Sequence, residues 1–169
     1  QEIKIVDEHG RVVPLGETGE LCCRGYSVMR GYWNDEERTR QTIDASGWLH
    51  SGDLAEMDTE GYVQIVGRIK DMIIRAGENV YPREIEEFLY THPDIVEAQI
   101  FGIPDEKYGE IVCAWVQKRE GSNLTEAGFK DYCTDQITYF KVPSIVRFVD
   151  GFPMTVTGEI QKFKMRDVT

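Results

Sequence analysis

The chain has 169 residues, and 30 acidic against 19 basic side chains give a net charge of −11. That length holds one ordinary domain or two small ones, and 41% hydrophobic residues with 11% aromatics exclude a disordered segment. No apolar run reaches the roughly 20 residues of a membrane helix, and no Lys/Arg stripe exists to neutralise a phosphate backbone, which sets aside a bilayer span and a nucleic-acid partner.

Residues 2–67 read as β-rich. Glu2–Val6 alternates, Asp7-Glu8-His9-Gly10 offers a turn, Arg11-Val12-Val13 resumes, and Gly16–Gly19 turns into a strand at Glu20–Arg24. Gln1 already belongs to the first strand, so the expectation is a piece of a longer chain. Asn34 with Glu37 three residues later predicts an N-cap and a helix over 35–43. Asp58–Gly61 predicts a hairpin turn into a strand at Tyr62–Val66. Short strands with glycine punctuation suggest a small barrel-like unit or sandwich.

Beyond Arg68 the rhythm changes. Met72–Arg75 predicts a strand and Ala76–Asn79 a turn; Pro82 suits the first position of a helix striped by Ile85, Phe88 and Leu89. Strands follow at 95–101 and 111–118, the second apolar on both faces and therefore central. A helix over 125–137 puts Phe129, Tyr132, Cys133 and Ile137 on one side, and a strand at 145–149 precedes a loop and a short C-terminal helix. The expected class is α+β: a small β-barrel-like subdomain over 1–69, then an α+β domain over 70–169 with a small three-stranded sheet.

Three clusters are polar or glycine-rich where a plain strand needs neither. In Gly47-Trp48-Leu49-His50-Ser51-Gly52-Asp53, the Asp53 carboxylate suits a vicinal diol such as ribose, although an Asp after Ser-Gly is more often a turn residue. In Gly67-Arg68-Ile69-Lys70-Asp71, Arg68 offers a planar donor fork and Lys70 a pivot between domains, against the plain reading of a solvated linker. In Arg75–Pro82, Gly77 lets a narrow ligand pass close to backbone. The exposed loop Pro153–Lys162 is a fourth candidate. His9, His50 and His92 carry no motif, and Cys22, Cys23, Cys113 and Cys133 show no CxxC spacing. Free thiols and no metal site are expected.

These clusters, in this order, resemble the acyl- and aryl-CoA synthetases of the adenylate-forming superfamily. The resemblance runs from Gly19-Glu20-Leu21 and Gly31-Tyr32-Trp33 through Gly67–Ile73 into Gly77–Glu86. Arg-x-Gly-Glu-Asn-Val-Tyr-Pro and Ile-Gln-Lys-Phe-Lys-Met-Arg are similar in wording to medium-chain fatty-acid–CoA ligases. The resemblance implies a two-step reaction: a carboxylate and Mg-ATP give an acyl-adenylate and pyrophosphate, then the CoA thiol gives the thioester and AMP. It implies residues 1–69 as the last subdomain of a large N-terminal domain and 70–169 as a mobile C-terminal domain. Asp53 would bind ribose, Arg68 ribose or phosphate, Ile65 the nucleotide; Lys70 would be the hinge, and Gly77 would lie on the hairpin lining the CoA tunnel. Mg2+ and most of the ATP and acyl pocket would belong to an upstream part, so these residues alone are expected to be inactive.

One departure matters. The family's C-terminal loop carries Gly-Lys-Ile, whose lysine bridges the carboxylate and α-phosphate, whereas this chain reads Gly158-Glu159-Ile160. Losing such an electrostatic contact costs about 2.7–4 kcal/mol in comparable sites, so impaired adenylation is expected, with thioester formation less affected. Lys162, three residues on, is not expected to substitute. The alternatives are a carrier-loading adenylation domain, a non-catalytic paralogue and a plain interaction module. A cytoplasmic location is expected, with the mitochondrial matrix as alternative.

Overall fold

Alternating apolar and polar residues lay down the first sheet. In the computed structural model, which describes residues 1–169, β1 (Glu2–Val6), β2 (Gly19–Arg24), β3 (Leu49–Met57) and β4 (Val63–Arg68) form an antiparallel sheet in sequence order. Aspartates set its reversals: Asp7 Oδ1 accepts from the His9 and Arg11 amides, and Asp58 Oδ1 from the Glu60 and Tyr62 amides, all at 2.9 Å. The sheet is open, because β1 and β4 pair only inward. The barrel-like closure expected from glycine spacing does not form, since the outer strands β1 and β4 do not pair with each other. The helix α1 (Glu36–Thr42) is capped by Asp35, whose carboxylate accepts from Arg38 N at 2.9 Å, and not by Asn34, which sits at φ +52°.

The chain divides into two compact units, Gln1–Lys70 and Asp71–Thr169, with the short 3-10 turn Ile69–Asp71 at the division. The second unit holds five strands in one sheet, where four strands and a three-stranded sheet were expected: β5 (Ile73–Arg75), β6 (Glu78–Val80), β7 (Ile95–Asp105), β8 (Gly109–Lys118) and β9 (Ile145–Phe148). Central β8 pairs antiparallel with β7 and β5 and parallel with β9. The missed strand is β6. Its turn is only Ala76-Gly77, at φ +53° and +87°, which frees Glu78–Val80 to pair with Ile73–Arg75.

Period-two alternation along β8 divides the core. Val112, Ala114 and Val116 pack with Ile85 and Leu89 of α2 (Pro82–Leu89) and with Phe129 and Cys133 of α3 (Glu126–Cys133). Cys113 and Trp115 pack with Phe101 and with Met165 of α4 (Lys162–Asp167) in a second cluster. Both faces of the strand are therefore covered. Burying Phe129 fully contributes about 1.5–3 kcal/mol. α3 ends at Cys133 rather than 137, because Thr134 turns extended and Asp135 takes φ +61°.

The β5–β6 hairpin hangs on β8 by one backbone pair, Arg75 with Gly109. Side chains and loop amides do the rest: Ile74 N donates to Glu110 Oε2 at 2.8 Å, Arg75 Nη1 to the Phe140 carbonyl at 2.7 Å, and Ala76 N to the Tyr108 carbonyl at 2.8 Å. No helix is long and apolar enough to cross a membrane.

Candidate functional site

Asp53 and Arg68 are brought together by strand register. They stand directly opposite each other on β3 and β4, and Arg68 Nε donates to Asp53 Oδ1 at 3.0 Å. Just before Asp53, β3 bulges: β2 advances two residues from Glu20 to Cys22 while β3 spans four, from Leu54 to His50. Gly52 supplies the φ of +73° that this irregularity takes. The bulge is braced, because Gly52 N donates to Glu20 Oε1 at 3.1 Å and Asp53 N to Ser51 Oγ at 3.0 Å. Half-exposed ion pairs of this kind are worth about 0–1 kcal/mol, since the Asp53 and Arg68 side chains are 31% and 55% exposed. Stability does not require the pair, and a ligand that exchanged into it would lose little. Ile65, half-buried on β4, faces Ala55 across the ladder.

The remaining expected positions lie on turns. Lys70 is exposed within the 3-10 turn. Gly77 completes the β5–β6 turn, and a Cβ there would meet nothing within 4 Å, so φ alone calls for glycine. Glu159 is exposed on a turn closed by Thr155: Thr155 N donates to the Glu159 carbonyl at 2.8 Å, and Glu159 N to Thr155 Oγ1 at 3.0 Å. Gly77 and Glu159 belong to the second unit and Asp53, Arg68, Ile65 and Lys70 to the first.

Lys162 is committed elsewhere. Its Nζ donates to Glu86 Oε1 at 2.7 Å and to the Ile100 carbonyl at 3.0 Å, while Ile100 N donates to the same Glu86 oxygen at 2.8 Å. This ties α4 to α2 and β7, with the two charged side chains only 19% and 14% exposed.

Sequence spacing gave no hint of one further cluster. Cys22 and His50, 28 positions apart, are register partners, and with Glu20 they offer three ligand atoms within 4.8 Å of one another. All four cysteines are free thiols, and burial pushes those of Cys22, Cys113 and Cys133 up to about 11. The signal for the cluster lies in alternation: Glu20 and Cys22 are two apart on one strand, opposite a single histidine.

Residues 84–159 match the sequence profile of the AMP-binding enzyme C-terminal domain, and residues 1–33 that of the AMP-binding enzyme. The chain is 50% identical over 169 residues to YngI of Bacillus subtilis (strain 168), which carries an acyl-CoA synthetase name, covering 99% of this chain and 31% of the relative. It is 52% identical to the mitochondrial medium-chain acyl-CoA ligase ACSF2 of Danio rerio, covering 99% of this chain and 28% of the relative. The chain thus spans less than a third of the length of these relatives. Among solved structures, ATP-bound MatB from Rhodopseudomonas palustris superposes with a TM-score of 0.94 at 36% identity, over 99% of this chain and 33% of that one. The o-succinylbenzoate CoA synthetase MenE from Bacillus subtilis, in complex with its acyl-adenylate intermediate, gives 0.89 at 32% identity, over 98% of this chain and 34% of that one.

Proposed function

Because the chain belongs to the adenylate-forming acyl-CoA synthetase superfamily, matching its C-terminal portion, we propose that it serves as the C-terminal part of an ATP-dependent fatty-acid–CoA ligase. The observation that carries this reading is the Asp53–Arg68 pair at 3.0 Å beside a braced bulge, in a chain that superposes along its length on an ATP-bound relative. In this reading Asp53 accepts from the ribose hydroxyls, Arg68 donates to ribose or phosphate oxygens, and Ile65 packs against the nucleotide. Residues 1–69 complete the large nucleotide-binding domain, and 70–169 form the mobile domain that pivots at Lys70 between half-reactions. Gly77 sits on the hairpin beside the CoA arm, where an absent side chain leaves room for a narrow ligand. Mg2+ is assigned to the upstream part. The cytoplasm is the expected location and the mitochondrial matrix the alternative, since a bacterial relative and one named as mitochondrial have comparable identity.

Glu159 sets the adenylation step apart. A carboxylate where the family places a lysine repels the charge that develops on the α-phosphate, and Lys162 is held by Glu86 and Ile100 instead. This same observation supports a second reading, a paralogue that binds nucleotide without catalysis. Fatty-acid-dependent pyrophosphate release by the full-length protein, beside its Glu159→Lys variant, separates the two. The ligase reading expects release to rise by about 10²–10³-fold in the variant. Full activity with Glu159 in place would refute the charge argument, and silence from both forms would favour the paralogue.

A further inference from the structure

We propose that Glu20, Cys22 and His50 form a binding site for a borderline-soft divalent cation of the zinc class, on the face shared by β2 and β3. The donor set is one thiolate sulfur, one imidazole nitrogen and one carboxylate oxygen, the mixture zinc takes when three protein ligands leave a position for water. All three ligand atoms lie within 4.8 Å of one another, and two of the pairs are near the separations such an ion needs. Cys22 Sγ lies 3.5 Å from His50 Nδ1, and His50 Nδ1 lies 2.7 Å from Glu20 Oε2. Ligands around a tetrahedral zinc stand about 3.3–3.6 Å apart, so the sulfur–nitrogen pair is already in place. The nitrogen–oxygen pair must open by roughly half an ångström as the ion replaces their hydrogen bond.

The surroundings fit the same ion. Glu20 keeps its other oxygen on the Gly52 amide, which fixes the carboxylate while Oε2 faces the histidine. On the far side of the ring, Asp44 Oδ2 lies 3.8 Å from His50 Nε2. When an ion displaces the Nδ1 proton now donated to Glu20, this carboxylate is placed to hold the proton on Nε2, as in carboxylate–histidine–metal arrangements. Asp44 is itself held by the Ser46 and Trp48 amides at 2.8 and 3.0 Å. Cys22 is buried, whereas His50 and Glu20 are 32% and 19% exposed, so a cation can enter from the solvent side. Binding would staple β2 to β3 next to the bulge that precedes Asp53.

The test is titration of the full-length protein, freed of metal with a chelator, with Co2+ and then Zn2+. The expected result is a near-ultraviolet thiolate-to-cobalt band that zinc abolishes, with a Cys22-dependent stoichiometry of one ion per chain. Cys22→Ala should lose that band, and Cys23→Ala should keep it. Because Cys22 is buried, the half-exposed positions provide a second check: His50→Gln and Glu20→Gln should each weaken cobalt binding at least tenfold, and Asp44→Asn about 10–100-fold. Absence of the band at millimolar Co2+, or a band unchanged in Cys22→Ala or His50→Gln, would overturn the assignment.

Discussion

Replacing Lys162 by methionine asks whether this cation holds the fold or stands in for the lysine missing at 159. The substitution keeps most of the apolar stem and removes two hydrogen bonds from Nζ, to Glu86 Oε1 and to the Ile100 carbonyl. Glu86, 14% exposed, is then left with the Ile100 amide as its partner. Breaking a fully buried ion pair costs about 3–5 kcal/mol, and a charge-assisted hydrogen bond contributes about 1.5–3 kcal/mol. With the pair four-fifths buried, a loss of about 2–3 kcal/mol is expected. In a unit of about a hundred residues each kcal/mol moves the unfolding midpoint by about 4–8 °C, so the second unit's transition should fall by on the order of 10 °C or more. Glu86→Gln should cost less on its own and should recover part of the loss in the double variant, a coupling of about 1–3 kcal/mol. Thermal unfolding of the four forms measures this directly. Singles within about 0.5 kcal/mol of the parent, or strict additivity, would refute the structural role. So would loss of pyrophosphate release in the Glu159→Lys background with the midpoint unchanged, because Lys162 would then be touching phosphate.

Asp53→Ala should weaken AMP binding by the full-length protein at least tenfold with its unfolding midpoint nearly unchanged; equal binding by calorimetry would sink the ribose assignment. Lys70→Pro fixes φ in the 3-10 turn and should slow one half-reaction far more than the other, whereas equal rates in both would make Lys70 a solvated linker residue. The buried thiols of Cys113 and Cys133, raised from 9.0 to about 11, stay protonated in the fold while the unfolded chain ionises. Their contribution is therefore complete below pH 9 and lost as pH rises towards 11, so denaturant midpoints should fall over that window. Cys133→Ala should flatten the fall; an identical slope would refute the linkage.

Elements whose signal is local were legible in the sequence. β8 could be read as central because Val112–Val116 is apolar at every position, and α2 because Pro82 stands at its first residue. What failed was conformational or long-range. Ala76 in a left-handed turn is not written in its chemistry, so β6 hid inside what looked like loop. The barrel expectation rested on strand count and glycine spacing, neither of which fixes whether the outer strands meet. For the site, the Asp53–Arg68 contact spans 15 residues and two strands, and only register brings the residues face to face. Cys22 and His50 looked scattered for the same reason, since their meeting depends on a bulge at Gly52.

The β5–β6 hairpin shows how such a scaffold can be re-aimed. A Cβ at Gly102 would come within 2.6 Å of Glu110 Oε1, so the bare backbone of β7 is what lets that carboxylate lie over the strand and catch the Ile74 amide. Beyond its one ladder pair and the buried Ile73 and Val80, the turn bearing Gly77 is held by a side chain and two loop carbonyls. Substitutions at Glu110 or Arg75 would loosen that turn, while Ile73 and Val80 stay anchored in the apolar interior shared with α2, α3 and β8. Drift at a few polar anchor points could thus reshape what passes the hairpin, leaving the architecture intact.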